Sequence, residues 1–206
     1  IGDYRGFRCV IEAPPSITEP VQMLGNGRTL LLYPLPNNEL YLGAGPVSPQ
    51  CYPQGRSDLD TVRAVFSDFG GVARDALDQL DERTAFIQTS YWNVQCARWN
   101  SEHCLLIGDA AHASAPSLAQ GGAMAFEDAV VLGHCLGAGL PVNHAIETFV
   151  LRRKARTDRV QRESLSRMDS NRFATTRELA ARNAMSRKFG AQQLTKSWDL
   201  LANESP

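Results

Sequence analysis

The stretch Leu105-Leu106-Ile107-Gly108-Asp109-Ala110-Ala111-His112 restricts the folding of this chain more than any other. Three apolar residues read as a short buried strand, Gly108 breaks it, and a carboxylate follows at once. A loop holding Pro116, Gly121 and Gly122 then opens an apolar helix. A strand, an acid on the turn and a helix start bare of side chains suit a bound polar cofactor, because the first helical N–H groups have no partner within the helix.

The remaining sequence fits around this stretch. Residues 1–52 read as an antiparallel sheet with one face buried. Phe7–Ile11 is one strand, and Gly25-Asn26-Gly27 predicts a hairpin between Val21–Leu24 and Thr29–Leu35. Pro36-Asn37-Asn38 marks another turn before Glu39–Ala44, and the segment 46–55 reads as loop. From Ser57 or Asp58 as cap, Leu59, Val62, Val65, Phe66 and Phe69 recur at helical spacing until Gly70-Gly71, and a short helix follows over 73–80. Phe86–Val94 returns to extended character. The helix after Gly122 is apolar nearly all round and is expected to be buried. Asn143 is the expected cap of a long helix reaching Met168. Its stripe is Ile146, Phe149, Val150, Val160, Leu165 and Met168, with Arg152, Arg153, Arg156, Arg159 and Arg162 largely off it. Residues 171–202 read as further helix, with Leu179, Met185, Phe189, Leu194 and Trp198 on its buried side. The domain boundary is expected near residue 95.

Charge and cysteines exclude several classes. Residues 1–140 carry a net −7 and residues 141–206 a net +6. The basic half is helical sequence interleaved with acids and lacks aromatic stacking residues, so it reads as a solvated helix face and not as a nucleic-acid surface. The five cysteines form no CxxC pair, which fits small core residues in a reducing cytoplasm better than a disulfide frame or a zinc site. No apolar run approaches the roughly 18 residues of a membrane span. His112 by itself reads as a hydrogen-bonded structural histidine. Asp109 and His112 lack the further neighbours a metal would need. Ser114, His112 and Asp109 stand too close in sequence for a hydrolase triad and lack a GxSxG elbow.

Gly108-Asp109-Ala110-Ala111-His112, then Pro116, then Gln120-Gly121-Gly122-Ala123-Met124-Ala125 and Glu127-Asp128-Ala129 resemble the second FAD motif of the class A flavoprotein monooxygenases, which include the para-hydroxybenzoate and salicylate hydroxylases. The resemblance extends to Trp99, to Glu147, Arg152 and Arg156, and to Leu30–Leu35 with Glu39-Leu40-Tyr41 of the family's substrate-domain sheet. It implies an α/β (α+β) fold: an antiparallel substrate-binding sheet over 1–95, then over 96–206 the C-terminal part of a Rossmann-like FAD domain with long C-terminal helices.

The resemblance further implies that Gly108, Asp109, Ala111, Pro116, Gly121, Gly122 and Ala123 contact FAD. Asp109 would accept hydrogen bonds from the ribityl hydroxyls, and the bare helix start would face the flavin pyrimidine edge. Tyr33 and Pro34 are the candidates for substrate contact, with Arg5 and Arg8 either meeting an acidic substrate or facing solvent. The implied enzyme uses FAD, NADH or NADPH, and O2 to hydroxylate a small aromatic molecule. The family's Gly-rich first FAD motif has no counterpart, and no GxGxxG occurs. The chain therefore resembles the family's C-terminal portion and is expected to need a complementary N-terminal polypeptide carrying that motif. A halogenase, epoxidase or reductase on the same scaffold, or a scaffold remnant that no longer binds FAD, are the other readings.

Overall fold

Leu30 and Leu32 lie on one side of their strand and Leu31 and Tyr33 on the other, and only the first pair is fully buried. Phe7 and Cys9 against Arg8 and Val10 repeat the pattern. Period-two burial of this kind belongs to a sheet with one covered face. The computed structural model describes residues 4–52, 55–170 and 175–203. The chain divides into two units, Ile1–Trp92 with Met168–Arg172, and Asn93–Arg167 with Phe173–Pro206.

The first unit holds β1 (Arg5–Glu12), β2 (Val21–Leu24), β3 (Thr29–Leu35), β4 (Glu39–Val47) and β5 (Ile87–Ser90). They form one antiparallel sheet in the order β2-β3-β4-β1-β5. The predicted hairpin is present: Leu24 pairs with Thr29, the Gly25 N–H donates to the Arg28 carbonyl at 2.8 Å, and Gly27 takes a φ of 69° that suits glycine. Asn37 and Asn38 also adopt positive φ, 63° and 60°, in the next turn, a conformation asparagine tolerates better than most residues. Strand β4 runs past the expected end at Ala44 and takes in Pro46 and Val47, with Val47 paired to Arg5.

Helices α1 (Asp58–Val65) and α2 (Val72–Asp78) share a core with the covered face. Phe7, Leu30, Leu40, Val62, Phe66 and Leu80 are all closed to solvent there, each contributing about 1.5–3 kcal/mol by burial. Ser57 caps α1, its hydroxyl accepting from the Asp60 N–H at 3.1 Å. The helix is shorter than its apolar spacing suggests. The Ser67 hydroxyl donates to the Ala64 carbonyl at 2.9 Å, and the chain turns there, with Phe66 and Phe69 still buried.

On the sheet's other face the Tyr91 ring lies across two glycines. A Cβ at Gly6 would sit 2.7 Å from that ring, and one at Gly45 would sit 2.6 Å from its hydroxyl. Gly6→Ala is therefore expected to cost about 1–3 kcal/mol by overpacking. Urea melts of the single variant and of Gly6→Ala/Tyr91→Ala check this. If the second substitution restores nothing, the clash is not the cause.

The second unit is helical: α3 (Asp109–His112), α4 (Gly121–Gly137), α5 (Val142–Ser170) as far as Arg167, and α6 (Thr176–Ala202). Trp99, Ala111, Val131, Cys135, Ala145 and Phe149 form one buried cluster. Met124, Val160 and Leu201 form another. Thr175 and Glu178 make a reciprocal capping box at the start of α6.

Five expectations differ from the structure, the last of them the burial of Met185. Leu105–Ile107 is not a strand: only Leu105 is bridged, to Asn100, and the Leu106 N–H donates to the Trp99 carbonyl. A parallel strand takes its ladder from flanking strands, and none flanks it among the described residues. Helix α4 is not buried all round: Phe126 is 78% exposed, and Val130 and Leu136 are about half exposed. Asn143 lies inside the first turn of α5 and does not cap it. Arg153 and Arg156, expected largely off the apolar stripe, are buried within it. In α6, Leu179 and Phe189 are half-buried and Met185 is exposed; the side chains of Leu194 and Trp198 lie outside the described residues.

Candidate functional site

The residues singled out by the sequence are placed by a buried ion cluster that the sequence did not disclose. Gly108 sits at φ 56° at the N-terminal end of α3 and is buried. A side chain there would be strained by the backbone, and its Cβ would stand in van der Waals contact with Ala125 of α4 at 3.4 Å. The Gly108 N–H donates to Asp128 Oδ2 at 2.9 Å, and His112 Nε2 lies 2.7 Å from the same oxygen. The other carboxylate oxygen, Oδ1, accepts from Arg153 Nε at 2.7 Å. Asp128 and Arg153 are both 0% exposed.

The cluster extends along α4 and α5. Arg153 Nη1 donates to Glu127 Oε2 at 2.6 Å, and Arg153 Nη2 donates to the Met124 carbonyl at 3.1 Å. Arg156 makes a bidentate pair with Glu127, both bonds 2.7 Å, and also donates to the Leu201 carbonyl at 2.9 Å. Two acids on α4 thus meet two arginines on α5 with their lone pairs largely satisfied, the condition under which buried charges are tolerated. Trp99 leans on the His112 ring at 5.2 Å between centroids, and Lys154 Nζ sits 5.5 Å above the same indole. Gln161 Nε2 donates to the carbonyls of Val94 and Ala113, at 2.6 and 2.8 Å, fixing the segment that follows α3.

Burial pushes the Asp128 carboxyl up, but hydrogen bonds from His112, the Gly108 N–H and Arg153 outweigh it and hold the group below the usual carboxylate range. For Glu127, burial likewise raises, and Arg156 and Arg153 win and lower. The folded-state values lie below the unfolded ones, so the cluster's contribution is complete above the ordinary carboxylate pKa of about 4 and is lost as pH falls through the folded values. Urea midpoints measured from pH 7 to pH 3 are expected to fall below about pH 4. The fall should be shallower in Asp128→Asn, and equal slopes in the two proteins would remove Asp128 from the acid response.

The predicted residues fall into two groups by exposure. Asp109, Pro116, Gly122 and Ala123 are exposed, and Gly121 is half-buried. A Cβ at Gly122 would meet nothing within 4 Å, so the α4 start is open. By helix geometry the N–H groups of Gly121, Gly122 and Ala123 have no acceptor inside α4, while the Met124 N–H is taken by Gln120. Gly108 and Ala111 are instead buried, and the Ala111 side chain packs in the Trp99 cluster. Any contact from Ala111 to a ligand on the open side is therefore through its backbone.

Tyr33 and Pro34 belong to the first unit. Tyr33 is 50% exposed on the sheet's uncovered face and pairs across strands with Tyr41, while Pro34 is half-buried. Arg8 lies on that same uncovered face. Arg5 does not: it bonds Gln88 and lies over the Tyr52 ring at 5.1 Å. Among the described residues no group of three or more His, Cys, Asp or Glu is placed to hold a metal. No helix among them is long and apolar enough to cross a membrane.

Sequence reading missed Asp128, Arg153 and Arg156 as a linked set. The available signal was an acid pair, Glu127-Asp128, in an otherwise apolar helix, and arginines at Arg153 and Arg156 in step with Phe149 and Val160.

The family model described as "FAD binding domain" matches residues 72–164. The 2-heptyl-3-hydroxy-4(1H)-quinolone synthase of Pseudomonas aeruginosa is 28% identical over 148 residues, which are 69% of this chain and 38% of that protein. The kynurenine 3-monooxygenase of Salinispora arenicola is 30% identical over 155 residues, 75% of this chain and 34% of that protein. Among solved structures, Klebsiella pneumoniae HpxO complexed with FAD and uric acid matches with a TM-score of 0.74 at 22% identity, over 91% of this chain and 49% of that one. A salicylate hydroxylase substrate complex matches with a TM-score of 0.76 at 18% identity, over 98% and 54%. The chain thus has the fold of these solved structures and spans about a third of the curated relatives' length and half that of the solved ones.

Proposed function

We propose that this chain belongs to the class A FAD-dependent aromatic monooxygenase family and supplies the flavin and ribityl half of an FAD site in an enzyme that hydroxylates a small aromatic molecule. One observation carries the reading. Asp109 is exposed and the α4 start is open, while Gly108, whose Cβ would meet Ala125 of α4 at 3.4 Å, is buried with Ala111, His112 and Asp128. A carboxylate accepts hydrogen bonds from sugar-alcohol hydroxyls and offers no donor in return. An α-helix of 17 residues presents unpaired N–H groups and the positive end of its dipole at Gly121 and Gly122. That donor and acceptor set fits an isoalloxazine ring carrying a polyol chain.

Each residue's work is binding and orientation. Asp109 holds the hydroxylated chain. The N–H groups of Gly121, Gly122 and Ala123 face the pyrimidine edge and favour negative charge there. Pro116 stiffens the loop between α3 and α4. When bound, FAD supplies electron transfer from NADH or NADPH and oxygen activation, the part of the chemistry no side chain can perform. Tyr33 and Pro34 are assigned to the aromatic substrate. The grip on the ADP end of FAD is assigned to a complementary polypeptide bearing a Gly-rich motif. FAD titration followed by flavin absorbance and fluorescence tests the reading, with bound, spectrally shifted flavin as the expected result. A protein that stays colourless with FAD present, even alongside that complementary polypeptide, would overturn it.

A further inference from the structure

Arg153 is buried completely, yet it reaches both pieces of backbone assigned above to the cofactor. Through Nε it holds Asp128, whose Oδ2 accepts the Gly108 N–H at the base of the Asp109 turn. Through Nη2 it holds the Met124 carbonyl, in the first turn of α4 just past Gly121 and Gly122. We propose that the Asp128–Arg153 pair is a positioning clamp that sets the spacing between the Asp109 turn and the glycine start of α4, and so tunes the bound flavin without touching it. The proposal rests on the FAD reading.

The geometry makes the clamp specific to a carboxylate. Asp128 Oδ2 receives two hydrogen-bonding groups, Gly108 N–H and His112 Nε2, while Oδ1 receives Arg153. An asparagine has one acceptor oxygen and one NH2 group. It can face Arg153 or Gly108 with its oxygen, but not both. The donor left facing an NH2 is then unsatisfied in a dry site. Gly108 at φ 56° has no side chain of its own to hold the turn, so its anchor is the Asp128 carboxylate. A lysine at position 153 keeps one positive charge but cannot bond Asp128, Glu127 and the Met124 carbonyl in one planar fork.

The test compares wild type, Asp128→Asn and Arg153→Lys in the same protein preparation used for FAD titration. Three quantities are read: FAD affinity, the visible absorption bands of the bound flavin, and its midpoint potential. Folding is followed separately by circular dichroism. The clamp predicts FAD binding weakened about tenfold in Asp128→Asn, the effect of one lost hydrogen bond of about 1.4 kcal/mol, with shifted flavin bands and potential. Arg153→Lys should shift the same bands and potential with a smaller loss of affinity. If Asp128→Asn does not fold, Arg153→Lys carries the comparison. Folded variants with unchanged bands and potential overturn the clamp, while leaving the FAD assignment intact if wild type binds. Failure of wild type to bind FAD overturns both.

Discussion

Asp109→Ala is expected to weaken FAD retention by roughly 10- to 150-fold, the equivalent of losing one hydrogen bond to a charged group worth about 1.5–3 kcal/mol. The fold should be untouched. Asp109 is exposed and begins a four-residue helical turn, and the contacts that hold that turn belong to Gly108 and His112. The alanine variant should therefore keep the wild-type urea midpoint while flavin washes off during gel filtration. Asp109→Asn should lose less, because its amide oxygen still accepts a hydroxyl proton. Equal retention by Asp109→Ala and wild type would remove Asp109 from the cofactor site. A parallel drop in midpoint would instead mark it as structural.

Arg153→Met should have the largest effect on stability. Methionine fills much of the same volume, so the loss is electrostatic. Asp128 keeps its bonds to Gly108 and His112 but loses its buried cation, Glu127 falls back on Arg156 alone, and the Met124 carbonyl loses a donor. Breaking a buried pair by removing one partner typically costs about 3–5 kcal/mol, because a charge stays behind without compensation. Thermal and urea melts measure it. Arg153→Met/Asp128→Leu should cost less than the sum of the two single variants, since no buried carboxylate is left without its cation even though the Gly108 N–H and His112 lose their acceptor. A single-variant cost under about 1 kcal/mol would put this pair in the class of weak surface salt bridges.

The antiparallel sheet was legible because its signals are local. Gly25-Asn26-Gly27 and Pro36-Asn37-Asn38 specify turns through their own backbone preferences, and alternating burial follows from strand geometry. Asp109 and the glycine start of α4 were legible for the same reason. The buried cluster was not. An arginine on a helix is solvated by default, and what buries Arg153 and Arg156 is a pair of acids on another helix, more than twenty residues away in sequence. Leu105–Ile107 misled in the opposite direction. An apolar triplet has the composition of a strand, but a strand exists only through its neighbours, and composition carries no record of them. The exposure of Phe126 and Val130 on α4 follows the same logic, since apolar content indicates what a helix is able to bury and not what lies beside it.

Strand β1 imposes an order on the sheet's assembly. It precedes the other four strands of this sheet in sequence but lies inside it, with Arg5 paired to Val47 on one side and to Ser90 on the other. The β2-β3-β4 meander closes through turns of a few residues and needs nothing further along the chain. During synthesis, neither flank of β1 can form until its partner has left the ribosome, so Phe7 stays without its sheet neighbours until Ala44 and then Gln88 have emerged. A residue fully closed in the finished core is thus among those that wait longest for cover.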